Sequence, residues 1–331
     1  MIRARPSISG IAMTALVALP ACSDLPAVLD PHGSNAQQTA QIAWVLFWGG
    51  GIIFVAVMAL AAIAVFAPKP RRAWLGRPSF VVGAGIVFPV VTLSALLVYA
   101  LVVSAGMITA KGTPPLKIEI IGEMWWWRVR YVDAGGASVL VTANEVHIPV
   151  GRTVEFALAS ADVLHSFWVP HLAGKLDLIP GRVNRLHVRA DRTGVFRGTC
   201  AEYCGAQHAK MAFHVVAHDA PDFEAWLAAQ RLPAPAPRTP INAQGMTLFI
   251  AHCGACHAVR GTQAMGETGP DLTHVGSRLA LAAGALPNND GTIAGWISAS
   301  QHIKPQNLMP SFDRFTGEDL HALAAYVGSL K

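Results

Sequence analysis

Only five cysteines occur in the 331 residues: Cys22, Cys200, Cys204, Cys253 and Cys256. So few exclude a fold stapled by many disulfides, and without a second Cys-x-x-Cys pair there is no regularly spaced four-ligand zinc site. Charge is scarce as well, at 14% against 53% hydrophobic residues, and the mean hydropathy is +0.40. That balance is high for a purely soluble protein and directs attention to membrane-spanning runs. No internal repeat is present. Acidic residues are nearly missing from the first third: residues 1–112 hold seven Lys/Arg against two Asp/Glu, whereas 113–230 hold eleven against twelve and 231–331 seven against six. A pI near 9.1 would suit nucleic acid, but the whole positive excess lies beside the apolar runs, where it serves orientation. No nucleic-acid partner is expected.

The N-terminus carries Arg3 and Arg5, an apolar run over residues 8–19, then Leu19-Pro20-Ala21-Cys22. This is the layout of a secretory signal, and the cysteine after small residues resembles a lipoprotein signal over residues 1–21 with Cys22 lipidated. An ordinary signal cut elsewhere, with Cys22 incidental, is the alternative. Two uncharged apolar runs follow, at about 42–67 and 80–107. At about 1.5 Å per residue each is long enough to cross a hydrocarbon core of about 30 Å. The loop between them holds Lys69, Arg71, Arg72 and Arg77, which places it in the cytoplasm by the positive-inside rule. Residues 22–112 thus read as a tail and a two-helix transmembrane hairpin, with everything downstream outside a bacterial inner membrane.

From 113 to 230 the pattern changes to short β-type runs (116–121, 139–141, 153–158, 185–188, 211–216) punctuated by Gly, Pro, Asn and Asp, which predicts an antiparallel sandwich or barrel. Residues 231–240 are a spacer with proline at nearly every second position, favouring an extended chain. The remainder, 241–331, reads as mainly helical. Its last helix is capped by Thr316 and carries Leu320, Leu323, Val327 and Leu330 on one face.

Cys253-Gly254-Ala255-Cys256-His257 is the c-type haem attachment pattern. Two thiols three residues apart can add to the two vinyl groups of one porphyrin, and His257 then lies beneath the iron. Met309, in Leu308-Met309-Pro310, supplies a sixth ligand just before the final helix, and His/Met ligation suits electron transfer. A redox dithiol or half a zinc site is the competing reading, and it leaves the Met-Pro loop without a role. His252, His274, His302 and His321 are read as surface or packing residues. The module resembles class I cytochromes c, and Gly269-Pro270-Asp271-Leu272 matches the family segment whose proline carbonyl bonds the axial histidine.

The run from Cys200 to Met211 packs two thiols, the His208 imidazole and a thioether into one loop, and His165-Ser166-Phe167-Trp168 offers a second imidazole. Such soft and borderline donors suit copper, and zinc rarely recruits methionine. A Cys200–Cys204 disulfide is the alternative, but it gives no role to His165, His208 and Met211 together. These two segments resemble the CuA signature of cytochrome c oxidase subunit II, a family with a cupredoxin-like all-β barrel. The resemblance implies that Cys200 and Cys204 bridge two copper ions. His165 and Met211 complete one, and His208 and the Glu202 carbonyl the other. It also implies that the Glu202 side chain reaches a magnesium or similar ion at the boundary with subunit I. In Gly122-Glu123-Met124-Trp125-Trp126-Trp127, Trp125 matches the family's aromatic residue where electrons enter; membrane-interface anchoring or packing is the plainer reading of such a run, and Trp126 and Trp127 are expected mainly to pack.

What the resemblance implies as a whole is a path from an external cytochrome c or similar donor through haem c and CuA to subunit I, where O2 becomes water and protons are translocated, with subunit III as a further partner. With haem c fused to subunit II, this is a caa3-type arrangement. A related nitric oxide reductase, or a membrane-tethered electron carrier without an oxidase partner, are the alternatives. Quinol oxidase relatives lack the copper ligands. The sequence departs from many relatives in three places: no acid stands in residues 80–85 at the start of the second span, Phe167 replaces a tryptophan, and Ala201 replaces a serine. Proton uptake at the usual outer-helix position therefore has to use another residue or subunit.

Overall fold

The computed structural model describes residues 28–108 and 115–331; the signal segment and Cys22 lie outside the described residues. The first helix, α1 (Ser34–Phe66), is longer than its apolar run. Its polar first two turns extend into the water-side domain instead of ending at the membrane. There Ala36 and Ala40 are buried, Ala36 N donates to Leu172 O (3.2 Å), Asn35 Nδ2 to His187 O (2.8 Å) and Gln37 Nε2 to Asp191 Oδ2 (3.1 Å). The helix thus begins before the apolar run expected at about 42–67, because small residues facing the barrel continue it back to Ser34.

Short helical turns α2 (Lys69–Arg72) and α3 (Pro78–Val82) carry the basic loop. A π-type turn over Gly83–Val87 then leads into α4 (Phe88–Ile108). Helices spanning Ser34–Phe66 and Pro78–Gly106 are long and apolar enough to cross a membrane, and their apolar windows are not buried within the chain. Phe47 and Phe54 are 64% and 65% exposed. Leaving such area in water would forfeit about 1.5–3 kcal/mol per side chain, so lipid is its natural cover. Together with the relationship reported below, this makes the protein membrane-anchored.

Ten strands then form two five-stranded sheets. The first has the order β3-β2-β1-β5-β8, from β1 (Leu116–Glu123), β2 (Trp126–Val132), β3 (Ser138–Ala143), β5 (Val154–Ser160) and β8 (Asn184–Val188). The second has the order β4-β10-β9-β6-β7, from β4 (Glu145–Pro149), β6 (His165–Trp168), β7 (Leu176–Leu178), β9 (Gly194–Cys200) and β10 (Ala212–His218). Most neighbours are antiparallel; β1 with β5 and β10 with β4 are parallel. Period-two alternation buries Ile118 and Ile120 of β1, and Trp127, Val129 and Tyr131 of β2, against Phe156, Phe167 and Phe213. Trp127 is thus a core residue, stacked edge-on against Phe167. Helix α5 (Ala220–Arg231) closes this cupredoxin-like domain with Phe223 and Leu227.

Residues 232–239 run without regular structure along the last domain, where Ala234 N donates to Arg260 O (2.9 Å). That domain is built from α6 (Pro240–His252), α7 (Asp290–Ile303) and α8 (Gly317–Ser329). Thr239, Asn289 and Thr316 cap them, each accepting a backbone N–H. Helices α6 and α8 cross at Gly245, where an added Cβ would stand 2.1 Å from Ala322 O and 2.6 Å from Tyr326 Cβ. Gly245→Ala should therefore destabilise this domain by about 1–3 kcal/mol, the usual range for overpacking. Thermal unfolding followed at the haem band checks it, and an unchanged midpoint would show that the crossing can open without cost.

Candidate copper and haem sites

The copper-type donors lie where β6, β9 and the loop before β10 meet. Pairing of Phe167 with Cys200 brings the start of β6 to the end of β9, and Cys200 N donates to Met211 O (2.9 Å), closing the loop on itself. Cys200 Sγ is then 3.8 Å from Cys204 Sγ, 3.9 Å from His165 Nδ1 and 3.2 Å from Glu202 O. Cys204 Sγ is 3.6 Å from His208 Nδ1 and 3.8 Å from Met211 Sδ. Both thiols are free and buried, far beyond the ~2.05 Å of a disulfide. Gly122 is part of this packing, since a Cβ there would stand 2.7 Å from His165 Cδ2.

Electrostatics fit a cation cage. The bond between the two sulfurs pulls the Cys200 thiol well below its ordinary range and pushes the Cys204 thiol far above it. One proton shared between two sulfurs is stable alone, so ionising both needs the positive charge that copper would bring. The donor set of two thiols, two imidazoles, a thioether and one carbonyl matches copper in softness.

Asp162 was not singled out from the sequence. Its Oδ1 lies 2.8 Å from His165 Nε2 and its Oδ2 accepts Met124 N at 2.6 Å. A proton on Nε2 leaves Nδ1 turned to the sulfurs with its lone pair, the usual way an outer carboxylate fixes a ligand histidine. Its only sequence signal is an acid three residues before the histidine. Trp125 is 6% exposed, and its Nε1 donates to Cys204 O at 2.7 Å. Trp126 instead stacks under the Arg128 guanidinium, 4.7 Å from the ring centre. Glu202 projects from the loop with its carboxylate 3.4 Å from Lys175 Nζ. Among the described residues no cluster of metal-type side chains includes Glu202, so this chain alone does not make up a magnesium site.

In the last domain Cys253, Cys256 and His257 follow α6, with His257 N donating to Cys253 O at 3.0 Å. His257 Nδ1 lies 2.8 Å from Pro270 O, which makes Nδ1 the donor and leaves Nε2 free as a ligand. Burial holds this imidazole below its ordinary range, in the neutral form a metal requires. Met309 and Cys253 pack against one apolar cluster with Leu272, Phe312 and Phe315. The methionine backbone is pinned by Ser300 Oγ and Gln301 Nε2, which donate to its carbonyl at 2.9 and 2.7 Å. Two thiols and a neutral imidazole in one pentapeptide, and a methionine with a pinned backbone packed on the same apolar cluster as Cys253, are the donor types a covalent haem requires. His274 is buried and faces Leu232 O at 3.0 Å, a packing role.

The two domains are docked at the copper loop. Arg128 donates to Glu267 O (2.8 Å), Lys210 Nζ to Ile303 O (2.5 Å), Ala212 N to Ala283 O (2.9 Å) and Arg278 to Thr142 Oγ1 (3.2 Å). Glu145 accepts from Leu279 N (2.8 Å) and pairs with His147 Nε2 (2.9 Å). Burial would raise this carboxyl, but those bonds hold it below the usual carboxylate range. None of these residues was foreseen, because isolated charges carry no spacing signal. A separate group, Asp30, His32 and His171, lies where the chain enters α1. Arg192 stands 2.5 Å from His32 Nε2, a fixed positive charge that opposes a cation, and the group serves to dock the N-terminal segment through His32 N and His171 O (2.6 Å).

Comparison with known proteins assigns a family to each of the two water-side domains. The family model for the cytochrome c oxidase subunit II periplasmic domain matches residues 130–218, and that for cytochrome c matches 242–331. The chain is 36% identical to cytochrome c oxidase subunit 2 of Alkalihalophilus pseudofirmus, covering 92% of this chain and 90% of that one. It is 31% identical to the Bacillus subtilis protein of the same name, covering 67% and 64%. The periplasmic domain of subunit II of the Bradyrhizobium japonicum cytochrome oxidase is 28% identical, covering 37% of this chain and 97% of that one, with a TM-score of 0.34. The chain belongs to the cytochrome c oxidase subunit II family, with a cytochrome c domain at its C-terminal end, and is an electron-transfer subunit of a haem–copper oxidase.

Proposed function

We propose that electrons from an external cytochrome c enter this subunit through its own cytochrome domain, residues 241–331, and cross to a CuA domain, residues 113–230, on their way to subunit I. Cys200, Cys204, His165, His208, Met211 and the Glu202 carbonyl would hold the copper pair; Cys253, Cys256, His257 and Met309 would hold the haem. When bound, these groups supply one-electron carriers and make or break no bond of the substrate. The chain's own residues keep those carriers in place. Asp162 fixes the His165 ring, Pro270 fixes the His257 ring, and Trp125 ties its indole to the Cys204 carbonyl.

What carries this reading is the run of donor contacts from His165 through Cys200 and Cys204 to His208 and Met211, with the Glu202 carbonyl against Cys200 and Lys304 of the cytochrome domain bonded to the nearby Trp125 carbonyl. The spacer at 231–240 and the cross-domain bonds make the transfer intramolecular, at high effective concentration. The basic loop between the spans supports an outer, periplasmic placement of both domains, and the signal pattern supports a lipid on Cys22. The fused haem domain supports a caa3-type arrangement, with subunit III as a further neighbour. Glu202 would offer one carboxylate oxygen to a magnesium ion completed by subunit I. Oxygen, not nitric oxide, is the favoured terminal acceptor, because the relatives matched over most of the chain are cytochrome c oxidases.

The purified complex tests the proposal. It should be purple in the oxidised form, hold two coppers and one covalent haem per subunit II, and consume oxygen; a single blue copper, or consumption of nitric oxide in place of oxygen, would overturn it. Within that frame, Trp125→Phe removes the indole N–H but keeps the ring. Copper content should be unchanged, while transfer into the copper domain slows by about tenfold, since small losses of positioning are costly. A normal rate would take Trp125 out of the path.

A further inference from the structure

Four hydrogen bonds join the methionine loop of the cytochrome domain to the copper loop without a gap. Asn307 Oδ1 accepts from Met309 N at 2.8 Å, and Asn307 Nδ2 donates to Lys304 O at 2.6 Å. Lys304 Nζ donates to Trp125 O at 2.6 Å, and Trp125 Nε1 donates to Cys204 O at 2.7 Å. The same ammonium also donates to Lys210 O (2.8 Å), one residue before Met211, and to Ala282 O (3.1 Å). Lys304 therefore spends three donors on three backbone carbonyls, two in the copper domain and one in its own.

A lysine only 3% exposed is an expensive way to hold two domains together. Burial penalises its charge, and an apolar side chain would adhere at no such penalty. Adhesion is in any case provided elsewhere by Arg128, Arg278 and Glu145. What Lys304 alone does is fix the backbone of Trp125 against the segment that carries Met309. Its place as the C-cap residue of α7, after the kink at Ala299, aims the side chain across the interface.

We infer that Lys304 is the positioning residue for electron transfer inside this chain, holding the Trp125 indole and the Met309 loop in one register so that the electron crosses between the domains along this bonded route. The inference rests on the copper and haem assignments proposed above. One electron leaves the cytochrome domain and one arrives in the copper domain; Lys304 keeps its proton, and no heavy-atom bond forms or breaks.

The test uses the complete oxidase, with one electron photoinjected into the cytochrome domain. Lys304→Met keeps the stem and removes the donors. It should slow interdomain transfer by about tenfold or more, leave both metal spectra and the external donor's KM unchanged, and leave the Leu279 and Ala212 amides protected from hydrogen exchange. Lys304→Gln, with two donor hydrogens and a shorter reach, should give an intermediate rate and carries the test if the methionine variant does not assemble. An unchanged rate overturns the inference. So does a slower rate that tracks lost protection of Leu279 and Ala212, because Lys304 would then only glue the domains. A wild-type complex in which injected electrons never reach the copper domain overturns the proposed function itself, and is seen before any variant is compared.

Discussion

Cys204→Ser should empty the copper site and lower oxygen consumption at least about a hundredfold, since loss of outer-shell partners alone costs about 10–100-fold in metal affinity. Cys204 Sγ is the atom that faces Cys200 Sγ at 3.8 Å, His208 Nδ1 at 3.6 Å and Met211 Sδ at 3.8 Å. Without it the His208 half of the cage has no link to the rest. A serine hydroxyl stays protonated at neutral pH and is a hard donor, so it neither bridges nor suits copper. The fold should survive: serine nearly matches cysteine in volume, and the Trp125 indole bonds to the backbone oxygen of residue 204, not to its side chain. Metal analysis beside near-ultraviolet circular dichroism decides the matter. A folded variant that keeps both coppers would remove Cys204 from the ligand set.

Met309→Leu should lower the reduction potential of the cytochrome domain by on the order of 100 mV, because a thioether opposite histidine raises it. Leucine fills the same apolar cluster with Leu272, Phe312 and Phe315 at a cost below about 1.5 kcal/mol. On the proposed assignment Cys253 and Cys256 would keep the porphyrin attached, and Ser300, Gln301 and Asn307 still pin the backbone at 309. The change is therefore confined to one ligand atom. Steady-state reduction by the external donor should fall, and potentiometric titration should show the shift directly. A potential equal to wild type would mean that another side chain occupies the sixth position.

Both sites were legible in the sequence to the extent that their ligands are local. Cys253 to His257 is a contiguous pentapeptide, and Cys200 to Met211 is one loop. His165 is far from that loop in the chain and could be placed only through the family resemblance; the β6–β9 pairing that brings it there is a tertiary fact. Asp162 escaped notice because an acid in a loop is normally solvated. The strand β2 was passed over because its two tryptophans, with Trp125 just before them, drew attention as a patch, although Val129 and Tyr131 alternate with arginines in a clear period of two. The domain interface was invisible for a different reason: Lys304, Glu145 and Arg278 are single charges whose meaning depends on carbonyls and amides elsewhere. Hydropathy found both spans but gave no sign that α1 begins before its apolar run, since the helix is continued by alanines that pack on the barrel.

The cytochrome domain reaches the backbone of Trp125 through Lys304, and the Trp125 ring itself is 6% exposed. On the proposed path a diffusing reductant would meet the outer surface of the last hundred residues before the barrel, which would move the choice of donor to that surface. Partner preference can then be rewritten by altering that surface alone, with the metal cage and its contact with subunit I left as they are. Because the segment 231–331 as a whole is nearly neutral, seven bases against six acids with Lys304 among the bases buried, recruitment of the donor should respond only weakly to ionic strength.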